Sequence, residues 1–489
     1  MNHKNSSTSS NNSVSINKTI YGEVITPPGF ARNMLLETLS GSPHIFKNPD
    51  LKWLDIGAGR GCFGVALRRI LNDTLADAIP DAAARDRHII TRMLHMVEIN
   101  PDNVTGHLRP LFGPDANIHQ ADYLTWDPPV AVHYDVIIGN PPFNCDGAIK
   151  VPTNSNTDKH DDGRTVWPHF VRKTLALMRA GGGSGGGATM CILIPSIWMK
   201  PADKSGIFDE LITSKFGTVS RLRCFTSLES NRIFRSGGGA QTPCCYFAYT
   251  YTTNDHPKCA VELRDDVSDT GYTLYSVTPP RPIPLCGASV INKLLALMSR
   301  TTGHHHVRVL KTNMPGKGVT LSPVITDDHT YPCIHSCTMD RDAVTKAAPI
   351  PRLSIRYSSH PCAYAGVPKI VLAHKMYGYP YLDLIGEYGI SNRDSYVIEL
   401  ARDSSTGAPD KAWAVQMMTY LSSPIALMVY DATRYRMQYL ERYAFELLPM
   451  PPFPFSDAAR ILGLTAAELA FLSRHQYQPL TLFSTLGPI

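Results

Sequence analysis

The chain lacks any apolar run of the length that crosses a bilayer, about 20 consecutive residues, so no membrane-spanning helix is expected. It also has little charge: Asp, Glu, Lys and Arg make up 18% of 489 residues and leave a formal net charge of +5. That balance excludes a highly charged disordered polymer, and it permits a polyanionic partner without requiring one. Met1 to Asn17 is rich in Ser and Asn and has no apolar stretch of the kind a secretory signal needs, so residues 1–20 read as a disordered leader and the protein as not secreted. The 11 cysteines are scattered, and several fall in apolar runs where a free thiol acts as a small apolar group. A reducing, intracellular compartment is expected. His304-His305-His306 and Cys333-Ile334-His335-Ser336-Cys337 lack a second matched pair, so both read as structural loops and no metal is expected. There is no internal repeat.

What the chain does have is 43% apolar residues over a length that suits two or three compact units. From Leu51 to Tyr251 short apolar runs alternate with amphipathic stretches, the pattern of a parallel sheet with helices on its faces. Seven strands are expected at Leu51–Ile56, His95–Ile99, Asn117–Gln120, Asp135–Gly139, Thr189–Pro195, Val219–Phe225 and Cys244–Tyr251. Helices fit at Cys62–Asn72, Ala82–Leu94, Pro101–Leu111, Val166–Ala180 and Ser205–Phe216. Gly181 to Gly187 reads as a connector, and the Pro-rich Val277–Leu285 as a stiff linker, so residues 21–284 form one domain and 285–489 another. The second carries strand-like runs at Leu353–Tyr357, Lys369–Ala373 and Ser395–Leu400, then helices at Ala412–Leu421 and Ile425–Tyr443. Thr465-Ala466-Ala467-Glu468 is a capping-box pattern that starts a last helix.

Two turns carry the chemistry. Gly57, Gly59 and Gly61 lie between the first strand and the first helix of this alternation, where tight backbone can leave amides facing a ligand carboxylate or phosphate. Asp55 ends that strand and would repel a pyrophosphate, so a cationic ammonium or sulfonium suits the place better. Glu98, ending the second strand, can accept from a ribose diol, and Asp122, after the third, from an adenine amine, although a plain turn cap serves Asp122 equally well. The second turn, Asn140-Pro141-Pro142-Phe143, ends the fourth strand at the crevice of an open α/β sheet. Its amide oxygen, a carbonyl outside any helical ladder and a ring suit an exocyclic amine on a flat ring, adenine above all.

The order of these pieces, with Tyr21-Gly22-Glu23-Val24-Ile25-Thr26-Pro27-Pro28 ahead of them, resembles the γ-class adenine-N6 DNA methyltransferases. The resemblance covers the first half of the chain well and the second loosely. It implies a Rossmann-like seven-stranded methyltransferase sheet, a mixed α+β target-recognition domain after it, S-adenosylmethionine as cofactor and double-stranded DNA as partner. It places Thr26 and Pro27 over the methionine end of the cofactor, with Asp55, Gly57, Gly59, Gly61, Glu98 and Asp122 around the rest. Asn140 and Pro141 would each take one N–H of the target amine, aiming its lone pair at the methyl group, in line. Phe143 would wall a base swung out of the duplex, because stacking worth about 1–3 kcal/mol is comparable with the cost of unstacking.

A further aromatic from the hairpin after the sixth strand is expected in that family, and Phe234, flanked by Arg232 and Arg235 as possible phosphate contacts, is the candidate. Tyr430, Arg434, Tyr435, Arg436, Tyr439, Arg442 and Tyr443 interleave cations with rings, as a DNA-contacting face or a structural helix would. Similar tetrapeptides serve RNA adenine and protein glutamine, so those substrates stay open, as does a modification subunit or a DNA-binding factor without catalysis. The oligomeric state is open, and a monomer is compatible.

Overall fold

The computed structural model describes residues 20–130, 132–147, 164–181, 187–201, 206–213, 217–235, 242–252, 260–279, 281–300, 306–339, 351–374, 380–436, 440–450 and 457–475. It divides the chain into two compact units, one running to Ile283 and taking in Tyr435 and Arg436, the other beginning at Pro284. The expected leader and most of the Gly181–Gly187 connector lie outside the described residues.

In the first unit, runs rich in Val, Ile and Leu form β1 (Trp53–Asp55), β2 (Leu94–Glu98), β3 (Asn117–Gln120), β4 (Val136–Gly139), the short pair β5 (Asn144–Cys145) and β6 (Arg164–Thr165), β7 (Thr189–Pro195), β8 (Gly217–Phe225) and β9 (Cys244–Tyr251). Then come β10 (Ala260–Arg264) and β11 (Tyr272–Ser276). The sheet has nine strands rather than seven, in the order β11-β10-β8-β9-β7-β4-β1-β2-β3. The addition is an antiparallel hairpin, β10 with β11, joined in parallel to β8. Its alternation is half-buried and Leu274 faces out, so it gives a weaker sequence signal than the continuous apolar runs of the centre. β1 lies parallel between β2 and β4, β4 is parallel to β7, and β9 runs antiparallel to both β7 and β8.

Every residue of β1, β2, β4 and β7 is buried, as a parallel sheet covered on both faces requires. Ile138, Cys191 and Leu193 share one core with α1 (Pro28–Thr38) and α2 (Cys62–Thr74). α3 (Ala82–His88) gives way to a π-helical turn at Ile89–Met93 instead of continuing to Leu94, and α4 (residues 101–112) contains a second such turn at Val104–Leu108. α5 (Trp167–Gly181) packs on β7, and α6 (Ser227–Phe234) starts from a capping box of Thr226 and Glu229. Residues 207–213 make only a short, mainly π-helical piece where a longer helix is expected.

The second unit is α+β. β12 (Leu310–Lys311), β19 (Ser395–Glu399), β16 (Lys369–Ala373) and β17 (Pro380–Asp383) form one sheet. β13 (Leu321–Ser322), β15 (Pro351–Ser358), β14 (Tyr331–Met339) and β18 (Gly389–Ile390) form another. Ile334, Ile390, Val371 and Val397 join the two in one core. Cys333–Cys337 therefore lies in strand β14, not in a loop; its apolar positions are buried between sheets. Around the sheets stand α7 (Ala288–Arg300), α8 (Lys411–Leu421), α9 (Pro424–Ala432), α10 (Tyr443–Glu446), α11 (Ala458–Leu462) and α12 (Ala466–Leu472), the last with both bonds of the Thr465–Glu468 capping box. The helix expected over Ile425–Tyr443 ends at Ala432, where the Thr433 hydroxyl bonds back to the Val429 and Tyr430 carbonyls. Among the described residues no single helix is long and apolar enough to cross a membrane.

Candidate active site

The carboxyl ends of β1, β2 and β4 open into a cavity of about 740 Å³, large enough for a nucleoside-sized guest. Its two walls are the turns singled out in the sequence. A Cβ built on Gly57 would lie 3.9 Å from both the Asn140 carbonyl oxygen and Pro141 Cα, so the glycine turn and the Asn-Pro-Pro-Phe turn abut. Gly61 has φ +86° and caps α2, a left-handed conformation that a side chain resists.

The glycine turn does not present free amides along its length. Gly57 N–H points to Asp55 Oδ1 at 3.4 Å, Ala58 N–H donates to the Val97 carbonyl at 3.0 Å, Gly59 N–H to Glu98 Oε2 at 2.7 Å and Gly61 N–H to the Ala58 carbonyl at 2.8 Å. The Ala58 and Gly59 donors hold the turn against β2 and the other two close it on itself, so the expectation that the glycine amides face a ligand anion is corrected: they are already used within the fold. What the glycines supply is close backbone approach.

Glu98 is buried and lines the cavity. Its Oε1 accepts Asn100 N–H at 2.9 Å and Asn103 Nδ2–H at 3.4 Å, while Oε2 accepts Gly59 N–H at 2.7 Å and keeps a lone pair for a ribose hydroxyl. Burial raises its pKa, bonds from Asn100, Gly59 and Asn103 lower it, and nearby Glu23 raises it; the net direction is upward. Asp55 is wholly buried beneath the turn and does not line the cavity. Burial pushes its carboxyl up to about 7, opposed by the Gly57 amide and assisted by Glu98. Its Oδ2 has no hydrogen-bond partner among the described residues. A buried acid with an open oxygen suits a neighbouring positive charge. Asp122 lines the cavity while its Oδ1 caps Leu124 N–H at 2.9 Å, so the cap is a real part of its role.

Asn140 through Phe143 all line the cavity. Asn140 Nδ2 donates to Thr26 Oγ1 at 3.0 Å, which leaves Oδ1 as the free end of the amide. Phe143 is half-buried, one side against the core and the other on the cavity. Thr26 lines the cavity, whereas Pro27 precedes α1 as its N-cap and does not. Phe234 reaches the cavity from the last turn of α6, a helix and not a hairpin, and is 2% exposed with its ring edge-on to Phe30 at 5.4 Å. That burial makes it part of the wall's packing, not a free stacking ring. Arg232 and Arg235 are exposed and off the cavity.

Residues the sequence reading passed over also converge here. Glu23 Oε1 accepts Asn103 Nδ2 at 3.2 Å and stands 3.7 Å from Arg60 Nε. Arg60, which stands between Gly59 and Gly61, is a cation on the lining whose buried Nε makes no hydrogen bond among the described residues. Its motif position was legible; the pairing with Glu23 is tertiary. Elsewhere, Tyr430 and Tyr435 are fully buried, their hydroxyls on the Leu421 and Ile283 carbonyls, and Arg434 pairs with Asp431, so these members of the Tyr/Arg stretch are structural. Tyr439, His304 and His305 lie outside the described residues. Among the described residues no group of three or more His, Cys, Asp and Glu could hold a metal ion.

No family model matches the chain. Over 75 residues it is 37% identical to a Mycoplasma pneumoniae protein described as an uncharacterised adenine-specific methylase, a stretch that covers 15% of this chain and 18% of that one. Its fold is similar to the methyltransferase subunit of a type I restriction-modification system from Streptococcus thermophilus, at 16% identity over 57% of this chain and 54% of that one, TM-score 0.33. It is also similar to the M protein of the type I restriction enzyme EcoKI, at 15% identity over 49% of this chain and 48% of that one, TM-score 0.34. The chain thus spans under one fifth of the curated relative's length and about half that of these solved subunits. The fold assignment rests on the strand order itself.

Proposed function

We propose that the chain is an S-adenosylmethionine-dependent DNA methyltransferase acting on the N6 amine of a flipped adenine, with the second unit reading the duplex. The observation that carries this is the Asn140–Phe143 turn at the carboxyl end of β4, abutting the glycine turn within one cavity. The short identity to an adenine-specific methylase supports the choice of base.

The cavity residues fit the cofactor. Asp55, buried with an open oxygen, would balance its positive end, Glu98 would accept from its ribose hydroxyls, and Arg60 would suit its carboxylate. When bound, the cofactor would supply an electrophilic sulfonium methyl, which the amine nitrogen would take with release of the neutral thioether and of one proton to solvent. The chain's share is orientation. Asn140 Oδ1 and the Pro141 carbonyl would each accept one N–H of the amine, drawing its lone pair out of ring conjugation and into line with the methyl. Phe143 would cover the ring, offsetting part of the stacking lost on flipping.

Purified protein with methyl-tritiated cofactor is expected to label unmethylated DNA of mixed sequence, and nucleoside analysis to place the label on N6-methyladenine. Asn140→Ala should lower transfer by at least about 100-fold, as loss of one pre-aimed polar group does elsewhere, while leaving cofactor binding intact. Label in RNA or in glutamine instead would move the substrate to those classes, and no label in any would end the proposal.

A further inference from the structure

The segment Ile20–Thr26 lines the cavity as a strap, and it meets the Asn140–Asp146 loop at both ends. At one end lies the Asn140 Nδ2 to Thr26 Oγ1 bond, 3.0 Å long and spanning 114 residues of sequence, with Thr26 only 6% exposed. At the other, Gly22 has φ +68° and a Cβ there would fall 1.8 Å from the Asn144 carbonyl oxygen and 2.9 Å from Pro142 Cβ. Asp146 N–H adds a bond to the Ile20 carbonyl at 3.3 Å. Between these points the strap is tied down by Glu23 to Asn103 and Arg60. The loop that would grip the amine is therefore shaped by a segment far from it in sequence.

An asparagine amide has one accepting end and one donating end of nearly equal shape. Gripping an amine requires the accepting end to face the cavity. If the Thr26 hydroxyl donated to Asn140 Oδ1 instead, the NH₂ group would face the amine and two donors would meet. We propose that Thr26 is a positioning residue, which accepts the Asn140 amide N–H and so turns Oδ1 toward the target nitrogen. The inference rests on the functional reading above and differs from the role the resemblance gives Thr26, which is packing on the methionine end of the cofactor. It also means that the strap facing the cofactor and the acceptor facing the substrate are one mechanical unit.

The full-length protein carrying Thr26→Val, which keeps the shape and removes the hydroxyl, tests this beside Thr26→Ser. The expected result for Val is a fall in kcat of about 10–100-fold, the size of one lost positioning bond, with the dissociation constant of S-adenosylhomocysteine by calorimetry within about twofold, since the cavity's other contacts remain. Ser should restore kcat. A rise in that dissociation constant of about tenfold or more with kcat unchanged would overturn the proposal in favour of a cofactor contact. A second measurement does not depend on turnover: the ¹⁵N-labelled side-chain amide of Asn140, identified by its loss in Asn140→Asp. Its bonded proton should exchange slowly with water in the wild type and fast in Thr26→Val. Fast exchange in the wild type overturns the positioning role. Wild-type protein that labels no substrate but shows the slow proton overturns the functional reading and leaves the Thr26–Asn140 arrangement standing.

Discussion

Asp55 is a destabilising residue kept beneath the wall of the candidate site. Burial raises its carboxyl to about 7, Glu98 adds to the rise, and the Gly57 amide only partly offsets it. An unfolded Asp titrates near 3.9, so between roughly pH 4 and pH 7 the folded chain holds a proton that the unfolded chain has lost. Stability therefore falls as pH rises through that window, and the penalty is complete above about pH 7. Asp55→Asn removes the ionisable group while keeping the shape. Without cofactor, its melting temperature at pH 8 should exceed the wild type's by about 2–4 °C, roughly 1 kcal/mol for a domain of this size, and the difference should vanish near pH 4. Cofactor affinity should move the other way, weakening by about tenfold or more because the amide cannot balance a positive charge. Equal melting temperatures at pH 8 would mean that the open oxygen is hydrated in solution, and the trade of stability for binding would not hold at this residue.

On β2 and β3 the imidazoles of His95 and His119 stack at 5.9 Å and 7°, with Tyr134 edge-on to His95 at 5.2 Å. Burial is the main cause holding His95 down to about 4, with His119 and Lys52 as nearby positive groups; burial, then Arg109, lowers His119. The His95 ring stays neutral in the fold down to about pH 4, whereas an unfolded His takes its proton near pH 6.5. Its contribution is full above about pH 6.5 and is lost as pH falls from there toward 4, and the downward shift of His119 acts in the same direction. Replacing His95 by Leu should flatten that part of the melting-temperature profile between pH 7 and pH 4.5, and an unchanged slope would put the acid sensitivity on carboxylates instead. Strands β7, β9 and β16 were legible because continuous apolar runs have few other readings, and they begin and end where the sequence puts them, as does the shorter and more polar β3. α1 was missed although Pro28 opens it at a position that suits proline, since its apolar stripe is weak and the Pro-Pro pair before it reads as a break. The π turns leave no mark in residue type. The strap's grip on Asn140, and the carboxylate of Glu37 on α1 that gathers Arg223, Tyr246 and Tyr272, join residues 114 to 235 positions apart and could be seen only once folded.

At the scale of the whole chain, all the cavity residues belong to the first unit, while the most deeply buried ion pair among the described residues belongs to the second. Lys369, on β16, is wholly inaccessible; its Nζ lies 2.5 Å from Asp383 Oδ2 and also bonds the Tyr364, Val367 and Tyr388 carbonyls. Asp383 in turn accepts the Glu387 and Tyr388 amides at 2.8 and 3.0 Å, so the pair fixes the turn after β17 against β16. Burial lowers the Lys369 pKa and Asp383 raises it, with the net direction downward. Lys369→Met leaves a buried carboxylate without its cation, a loss of about 3–5 kcal/mol to the unit that contains it. Adding Asp383→Leu should recover part of that, because an apolar pair needs no counter-charge. Recovery is expected to be incomplete, since the Glu387 and Tyr388 amides then lose their acceptor. If the two units unfold separately, calorimetry of Lys369→Met should show one transition lowered and the other unmoved, with S-adenosylhomocysteine raising only the unmoved one. Cofactor affinity should stay within about twofold while methyl transfer to DNA falls, since only binding to the native first unit is linked to its stability. A variant that loses cofactor affinity in step with its lowered transition would show the binding site to depend on the second unit, and the division of chemistry from reading proposed for this chain would fail.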